Sequence, residues 1–564
     1  MRLLLSIAIA ILIGLAGCKM PGENQNFGEL TDQFVYGSLA LSPVTATSAG
    51  YHVHKGKQLD DMLDDFSPAG IQEQRRFYYE MHQKLDVIKQ ESLDPEQKAD
   101  WRLMEDQVGL SLLELNRIRN YVHSPTGYVE LVGNALFNPF VLEYAPKNER
   151  YQHIIKRLER IPALMLQARE NLRDSADIWT RVAQEENAGN IDLIDKTLRA
   201  QVPAELKSQY DQAASGALDA LKKFNDYLKT DLAGKPGNWR LGKEKYDLKF
   251  QWMLDVGKKP EDVLAEAEAA LKSTQDELAK LAAPKSIPDA LNAIAKEHAT
   301  PETYMDEAKR DLQQATDFIK AKNLVPLPGR SNLQVIETPE FMRGVYGVGG
   351  FNPAPALEPQ LGAFYWVTPI GKNWPQDRVE SKLREYNEYG MQQLTIHEAM
   401  PGHYVQFEYA NNVEPKTRRI LRNLFGNGPY VEGWGVYSQQ IMSDEGYLNN
   451  SVPLRMTFLK QMLRVITNTI LDVKMQTMDM TDEEAMDLML KQAYQEKEEA
   501  VAKLQRAKLS SAQLPMYFVG WRGWLQVREE FKKRKDGSFS LTDFHEKALK
   551  ESAVPLPVLG SLLK

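Results

Sequence analysis

Residues 397–403 read His-Glu-Ala-Met-Pro-Gly-His, and 29 residues past His403 stands Glu432, within Tyr430-Val431-Glu432-Gly433-Trp434-Gly435-Val436-Tyr437. Two imidazoles and one carboxylate are the donors of a catalytic zinc site, in which three protein ligands leave a fourth position for water. Zinc lowers the pKa of that water to about 7, and a neighbouring carboxylate, here Glu398, can take its proton and pass it to a leaving amine. The spacing complicates this reading. Two ligands on one helix normally stand four residues apart, about 40° around the axis, whereas a separation of six puts His397 and His403 about 240° apart. Both reach one ion only if the helix is bulged or broken between them. Pro401-Gly402 is such a breaker: proline removes a donor and disfavours helix at Met400, and glycine accepts unusual dihedrals. Taken alone, the pattern leaves two readings open, one shared metal or two histidines satisfied separately in the core. Of the nine histidines only His397, His403 and His545 lie beyond residue 300.

The elements that must position these residues are mainly helical. From about residue 56 to 322 the pattern is amphipathic helix, with start signals at Asp94-Pro95-Glu96-Gln97, Lys259-Pro260-Glu261-Asp262 and Thr300-Pro301-Glu302. The stretch 234–253 interrupts the periodicity and reads as a turn or short strands. Residues 326–375 hold eight of the 29 prolines and seven of the 35 glycines, around two β-like runs, Leu333 to Ile336 and Ala363 to Val367. They predict a small sheet with long connections inside a helical body. Helices return from Gln376, and Thr481-Asp482-Glu483-Glu484 is a capping box. The expected fold class is mainly α with a small β-sheet. It divides loosely into an N-terminal helical half, 31–322, and a C-terminal half, 323–564, that holds the sheet and the histidine motif.

The chain of 564 residues is long enough for a large core, and its 43% hydrophobic and 26% charged residues exclude a disordered or collagen-like protein. A net charge of -8 lacks the basic footprint of a nucleic-acid binder, and Lys532-Lys533-Arg534-Lys535 reads as a solvated helix end. One cysteine excludes an intramolecular disulfide and any multi-cysteine metal site. That cysteine closes the segment MRLLLSIAIAILIGLAGC, a charged start followed by an apolar run too short to span a bilayer. Leu15-Ala16-Gly17-Cys18 resembles the bacterial lipoprotein box, which implies a signal peptide over 1–17, cleavage before Cys18 and acylation of that residue. Residues 18–30 then form a polar tether, and the lipid anchors the chain to a membrane without spanning it. Lys19 after the cysteine points to the outer membrane, with the body facing the periplasm.

His-Glu-Ala-Met-Pro-Gly-His, Glu-Gly-Trp-Gly-Val-Tyr, the segment GAFYWVTP (362–369) and Phe544-His545-Glu546 together resemble the patterns of the domain-of-unknown-function 885 family. The resemblance extends over nearly the whole mature chain, including a Pro43–Gly50 opening. That family is similar to zincin-like metallopeptidases of the carboxypeptidase Taq and oligopeptidase (gluzincin) type. The resemblance implies a helical body with a central cleft, zinc as cofactor, His397, His403 and Glu432 as ligands and Glu398 as general base. It adds Tyr517, three residues before Gly520, and His545 as candidate donors to the oxyanion of a tetrahedral intermediate. Tyr517, Trp521 and Trp524 also recur at helical spacing, so a buried stripe remains open for Tyr517. Two segments depart from the family pattern: Asp472-Val473-Lys474-Met475-Gln476 lacks its glycine and histidine, and Gln360-Leu361-Gly362 stands where Arg-Pro-Gly is usual.

These readings converge on a lipid-anchored zinc peptidase acting on peptides in the periplasm. If GAFYWVTP is an edge strand, it can pair with extended substrate backbone. The alternatives are a surface lipoprotein whose cleft holds a peptide or partner without cleaving it, and a hydrolase of a non-peptide amide or ester.

Overall fold

The computed structural model describes residues 27–343 and 347–563, the side chain of Phe341 excepted. Cys18, the signal peptide and most of the expected tether lie outside the described residues. The folded body starts earlier than the tether reading allows. Helix α1 (Phe27–Leu41) begins at Phe27 and buries Phe27, Leu30, Phe34 and Val35, so Phe27 and Leu30 belong to the core.

Helices make up most of the fold. Helix α2 (Pro95–Leu113) opens with the expected capping box: the Asp94 carboxylate accepts from Gln97 N at 2.8 Å, and Gln97 Oε1 accepts from Asp94 N at 3.2 Å. Helices α3 (Lys147–Asn171) and α4 (Lys207–Tyr227) share an apolar core. The stretch read as turn or strands contains α5 (Lys243–Leu254), which buries Tyr246, Phe250 and Leu254. Its Gly/Pro-rich approach and mixed charges mask that i, i+4, i+8 stripe. Helix α6 (Pro260–Ala282) starts where expected, whereas α7 (Tyr304–Lys322) starts past the Thr300-Pro301 signal, which forms a turn instead.

The sheet has three strands: β1 (Leu333–Glu337), β2 (Gly349–Asn352) and β3 (Ala363–Val367), in the order β1-β3-β2. β3 pairs parallel with β1 (Val335 opposite Tyr365) and antiparallel with β2 (Phe351 opposite Tyr365). GAFYWVTP therefore supplies the central strand, not an edge. All five of its strand residues are buried, which is why it reads as a continuous apolar run. Phe364 and Trp366 join the α3–α4 core, while Tyr365 and Val367 pack on the opposite face. β2 escaped the sequence reading because glycine-rich segments carry little strand propensity. Gly349 is required by close approach: a Cβ there would lie 2.3 Å from the Trp366 carbonyl oxygen.

Seven helices of the C-terminal half bear on the site or its core: α8 (Glu388–Glu398), α9 (His403–Ala410), α10 (Gly428–Asp444), α11 (Val452–Thr477), α12 (Lys497–Leu509), α13 (Met516–Arg534) and α14 (Leu541–Lys550). α11 is buried over most of its length and runs through the core, with α6 against it. The expected division near residue 323 does not separate two cores. Trp101 and Met104 of α2 share a cluster with Ile420 and Leu421, and Arg422 Nε reaches Asp100 of α2 at 2.9 Å in full burial. Among the described residues no helix is long and apolar enough to cross a membrane.

Candidate metal centre

The site begins with the end of one helix. Asn387 caps α8, accepting from Tyr389 N at 3.1 Å and Gly390 N at 3.2 Å, and Met391, Thr395 and Ile396 are buried. Tyr365 of the central strand lies under this face, its hydroxyl 3.2 Å from Thr395 Oγ1. His397 and Glu398 are then the last helical residues and line a cavity. The helix stops at Ala399 (φ -126°, ψ -75°), and α9 starts again at His403. Gly402 allows the reversal: its N–H donates to Ile396 O at 2.9 Å, and a Cβ there would sit 1.8 Å from His397 O. The break removes the 240° problem, and the two imidazole rings face each other with centroids 4.8 Å apart at 86°.

The Glu-Gly-Trp-Gly segment of α10 completes the arrangement, each residue by a separate contact. Glu432 Oε2 lies 3.4 Å from His397 Nε2 and 3.6 Å from His403 Nε2. Gly433 lets α10 cross α13 at Gly520, where a Cβ on Gly433 would lie 2.5 Å from Gly520 Cα. Trp434 Nε1 donates to Pro401 O at 2.8 Å and Gly402 O at 3.2 Å, pinning the break between the histidines. Gly435 leaves room for the His397 ring.

One ligand atom from each of His397, His403 and Glu432 falls within 4.8 Å of the others. Burial would raise the Glu432 carboxyl, but hydrogen bonds with the two imidazoles hold it well below the usual carboxylate range. Burial lowers His403, and Glu432 outweighs it, raising the imidazole to about 9. A divalent cation would replace those shared protons, and the donor chemistry suits zinc. His403 Nδ1 lies 3.3 Å from Gln406 Oε1, the kind of outer contact that fixes a ligating imidazole.

Glu398 and Tyr517 line the same cavity of about 430 Å³. The Tyr517 ring stacks toward His397 at 6.2 Å, and its oxygen accepts from Arg506 Nη2 at 3.0 Å. Burial pushes the phenol up to about 12, against the pull of Arg506, so it stays protonated at neutral pH. The buried stripe also exists, since Trp524 is fully buried, but Tyr517 sits at the end that opens on the cavity.

His545 is not brought to the site. It is buried in the core, its Nε2 2.9 Å from Tyr437 Oη and its Nδ1 2.8 Å from Leu324 O, with the Trp434 ring 5.4 Å away. Burial lowers its pKa to about 4, so it is a neutral structural histidine. Asp472, in a segment that departs from the family pattern, is also internal. It accepts from Ala512 N at 3.0 Å and Leu514 N at 3.1 Å, fixing the chain that leads to Tyr517. Sequence reasoning missed Lys503 and Arg506, and the wall formed by residues 347–351.

Fold and site thus define a mainly helical protein with a two-histidine, one-glutamate metal-site geometry. The chain belongs to DUF885, a family of bacterial proteins of unknown function, whose pattern matches residues 43–563. Among curated proteins none matches it. It is similar to the structure of a candidate lipoprotein of unknown function from Shewanella oneidensis, with 28% identity over 96% of this chain and 100% of that one and a TM-score of 0.78. A candidate lipoprotein from Colwellia psychrerythraea has the same fold, with 17% identity over 96% of this chain and 98% of that one and a TM-score of 0.79. Metallocarboxypeptidase 1 of Trypanosoma cruzi aligns with 10% identity over 95% of this chain and 91% of its own, at a TM-score of 0.36, a likeness too distant to argue from.

Proposed function

We propose that this protein is a lipid-anchored, zinc-dependent hydrolase of the bacterial envelope that cleaves peptides. The observation that carries the reading is the convergence of His397, His403 and Glu432 within 4.8 Å in a cavity that Glu398 and Tyr517 also line. His397 and His403 would hold the ion through Nε2 and Glu432 through a carboxylate oxygen. Bound zinc would polarise the scissile carbonyl and acidify water.

The chain's own residues supply the rest. Glu398, next to a ligand and facing the cavity, takes a proton from water and delivers it to the leaving amine. Tyr517 donates its hydroxyl proton to the developing oxyanion, with Arg506 polarising the phenol. The exposed edge of β2, not β3, lies along the cavity and offers backbone groups to an extended peptide. The anchor reading rests on Cys18 in its lipoprotein-box context and on relatives described as candidate lipoproteins. It gives the protein a membrane partner through lipid alone, with the body in the periplasm and the outer membrane as its site.

Metal analysis of the purified protein tests the reading together with a mixed peptide library. About one zinc per chain is expected, with new peptide termini that vanish on chelation. Glu398→Gln keeps the metal and loses turnover. Zinc content unchanged in both His397→Ala and Glu432→Ala sinks the ligand assignment.

A further inference from the structure

The cavity gathers three basic side chains against two lining carboxylates, Glu398 and Glu432. Three cations line it, Arg464, Lys503 and Arg506. Arg464 is already satisfied, ion-paired with Glu499 and donating to Tyr386 Oη at 3.0 Å. Arg506 donates to Gln513 Oε1 at 2.9 Å and to Tyr517 Oη at 3.0 Å, both neutral acceptors. Lys503 is only 4% exposed and makes no hydrogen bond or ion pair with any described residue. Glu499, one turn earlier on α12, is the natural partner for it but is taken by Arg464 and by the Tyr386 hydroxyl at 3.1 Å.

A buried ammonium with no close partner is costly, and a lysine so placed gives up its proton more readily unless an anion completes it. Burial, with Arg464 and Arg506 beside it, pushes Lys503 well below the usual lysine range. An anion entering the cavity would relieve that strain. Glu499 and Glu432 act on Lys503 only from a distance, without a hydrogen bond or close ion pair, and Glu432 is already held by the two imidazoles.

We propose that Lys503 and Arg506 form an anion subsite beside the His397–His403–Glu432 cluster, and that it receives a carboxylate of the bound peptide. The proposal deepens the peptidase reading and rests on it. An ammonium and a guanidinium edge together match the two oxygens of a carboxylate. The carboxylate is either the peptide's own C-terminus or an acidic side chain near the scissile bond, and both present the same chemistry.

Calorimetric titration of zinc-loaded Glu398→Gln protein, which holds peptide without cleaving it, separates the possibilities. Three probes suffice: N-acetyl tetra-alanine as the free acid, the same peptide as its amide, and an amide with one internal glutamate. A carboxylate peptide should bind about 10–100-fold more tightly than the plain amide, the range of a charge-assisted contact. Whichever of the acid or the glutamate peptide gains identifies the source. Adding Lys503→Met removes the preference and leaves affinity for the plain amide unchanged, whereas Lys503→Arg retains it, which separates lost charge from a damaged fold. Equal affinity for all three peptides, no binding of any, or a preference that survives Lys503→Met overturns the subsite. Zinc content and library cleavage report on the peptidase reading independently. Protein without zinc that still prefers the carboxylate loses that reading and keeps the subsite, and zinc with turnover but no preference does the reverse.

Discussion

A Cβ built on Gly435 would lie 2.5 Å from Cε1 and 2.6 Å from Nδ1 of His397. The second glycine of Glu-Gly-Trp-Gly is thus a steric allowance for the first histidine, one helix away. Any side chain at 435 must push that ring off its position. Since a ligand displaced by a fraction of an ångström misses its ion, Gly435→Ala should lower zinc affinity by about 10–100-fold, the usual range for losing the support of a ligating imidazole. Metal titration against a competing chelator checks this. Unchanged affinity would mean that His397 is not held by this contact.

Arg506 and Tyr517 bear on turnover rather than on metal. Arg506 donates to the phenol oxygen, so the hydroxyl proton is free to serve an acceptor in the cavity. Removing it with Tyr517→Phe keeps the ring against His397. Turnover should fall by about 10²–10³-fold, as for loss of one oxyanion donor, with zinc content and KM nearly constant. A larger fall in zinc content than in kcat would assign Tyr517 to packing.

The approach of the two histidines was legible in the sequence because its oddity was local. Six residues separate His397 from His403, and Pro401-Gly402 between them announces the break that the structure contains. The roles of Gly433 and Gly435 were not legible, since each glycine answers to a partner far away in the chain, Gly520 and the His397 ring. Lys503 and Arg506 were hidden for a related reason. Their i, i+3 spacing on a charged helix reads as a wet face, and only the packing of α12 against the cavity turns it inward. Strand β3 was found by its apolar run, and the burial on both faces behind that run also makes it central, which removes the condition for pairing substrate along it.

His545 illustrates a motif residue conscripted by packing. Its two nitrogens join the Tyr437 hydroxyl to the Leu324 carbonyl, tying α10 and α14 to the chain after α7. His545→Ala leaves both partners unsatisfied and opens a gap beside Trp434. It should destabilise the fold by about 2–4 kcal/mol, seen as a lower thermal midpoint, with zinc content unchanged. Loss of zinc at full stability would return His545 to the site.

The Pro43–Gly50 opening leads to a second histidine whose charge ties two distant segments. His52 Nδ1 lies 2.9 Å from Asp60 Oδ2, and its Nε2 lies 3.2 Å from Glu358 Oε2, in the loop before β3. Its ring stacks on Tyr144 at 4.4 Å. Burial lowers the imidazole pKa, but the bonds to Asp60 and Glu358 outweigh it and lift it to about 9. A folded value above the unfolded one of about 6.5 means that the native state binds the proton more tightly. The resulting stabilisation is complete below about pH 6.5 and disappears as pH rises through about 9. Wild-type protein should therefore lose more thermal stability between pH 6.5 and 9.5 than His52→Gln, which has no proton to release there. Parallel melting curves for the two proteins across that window would show that His52 is neutral in the fold.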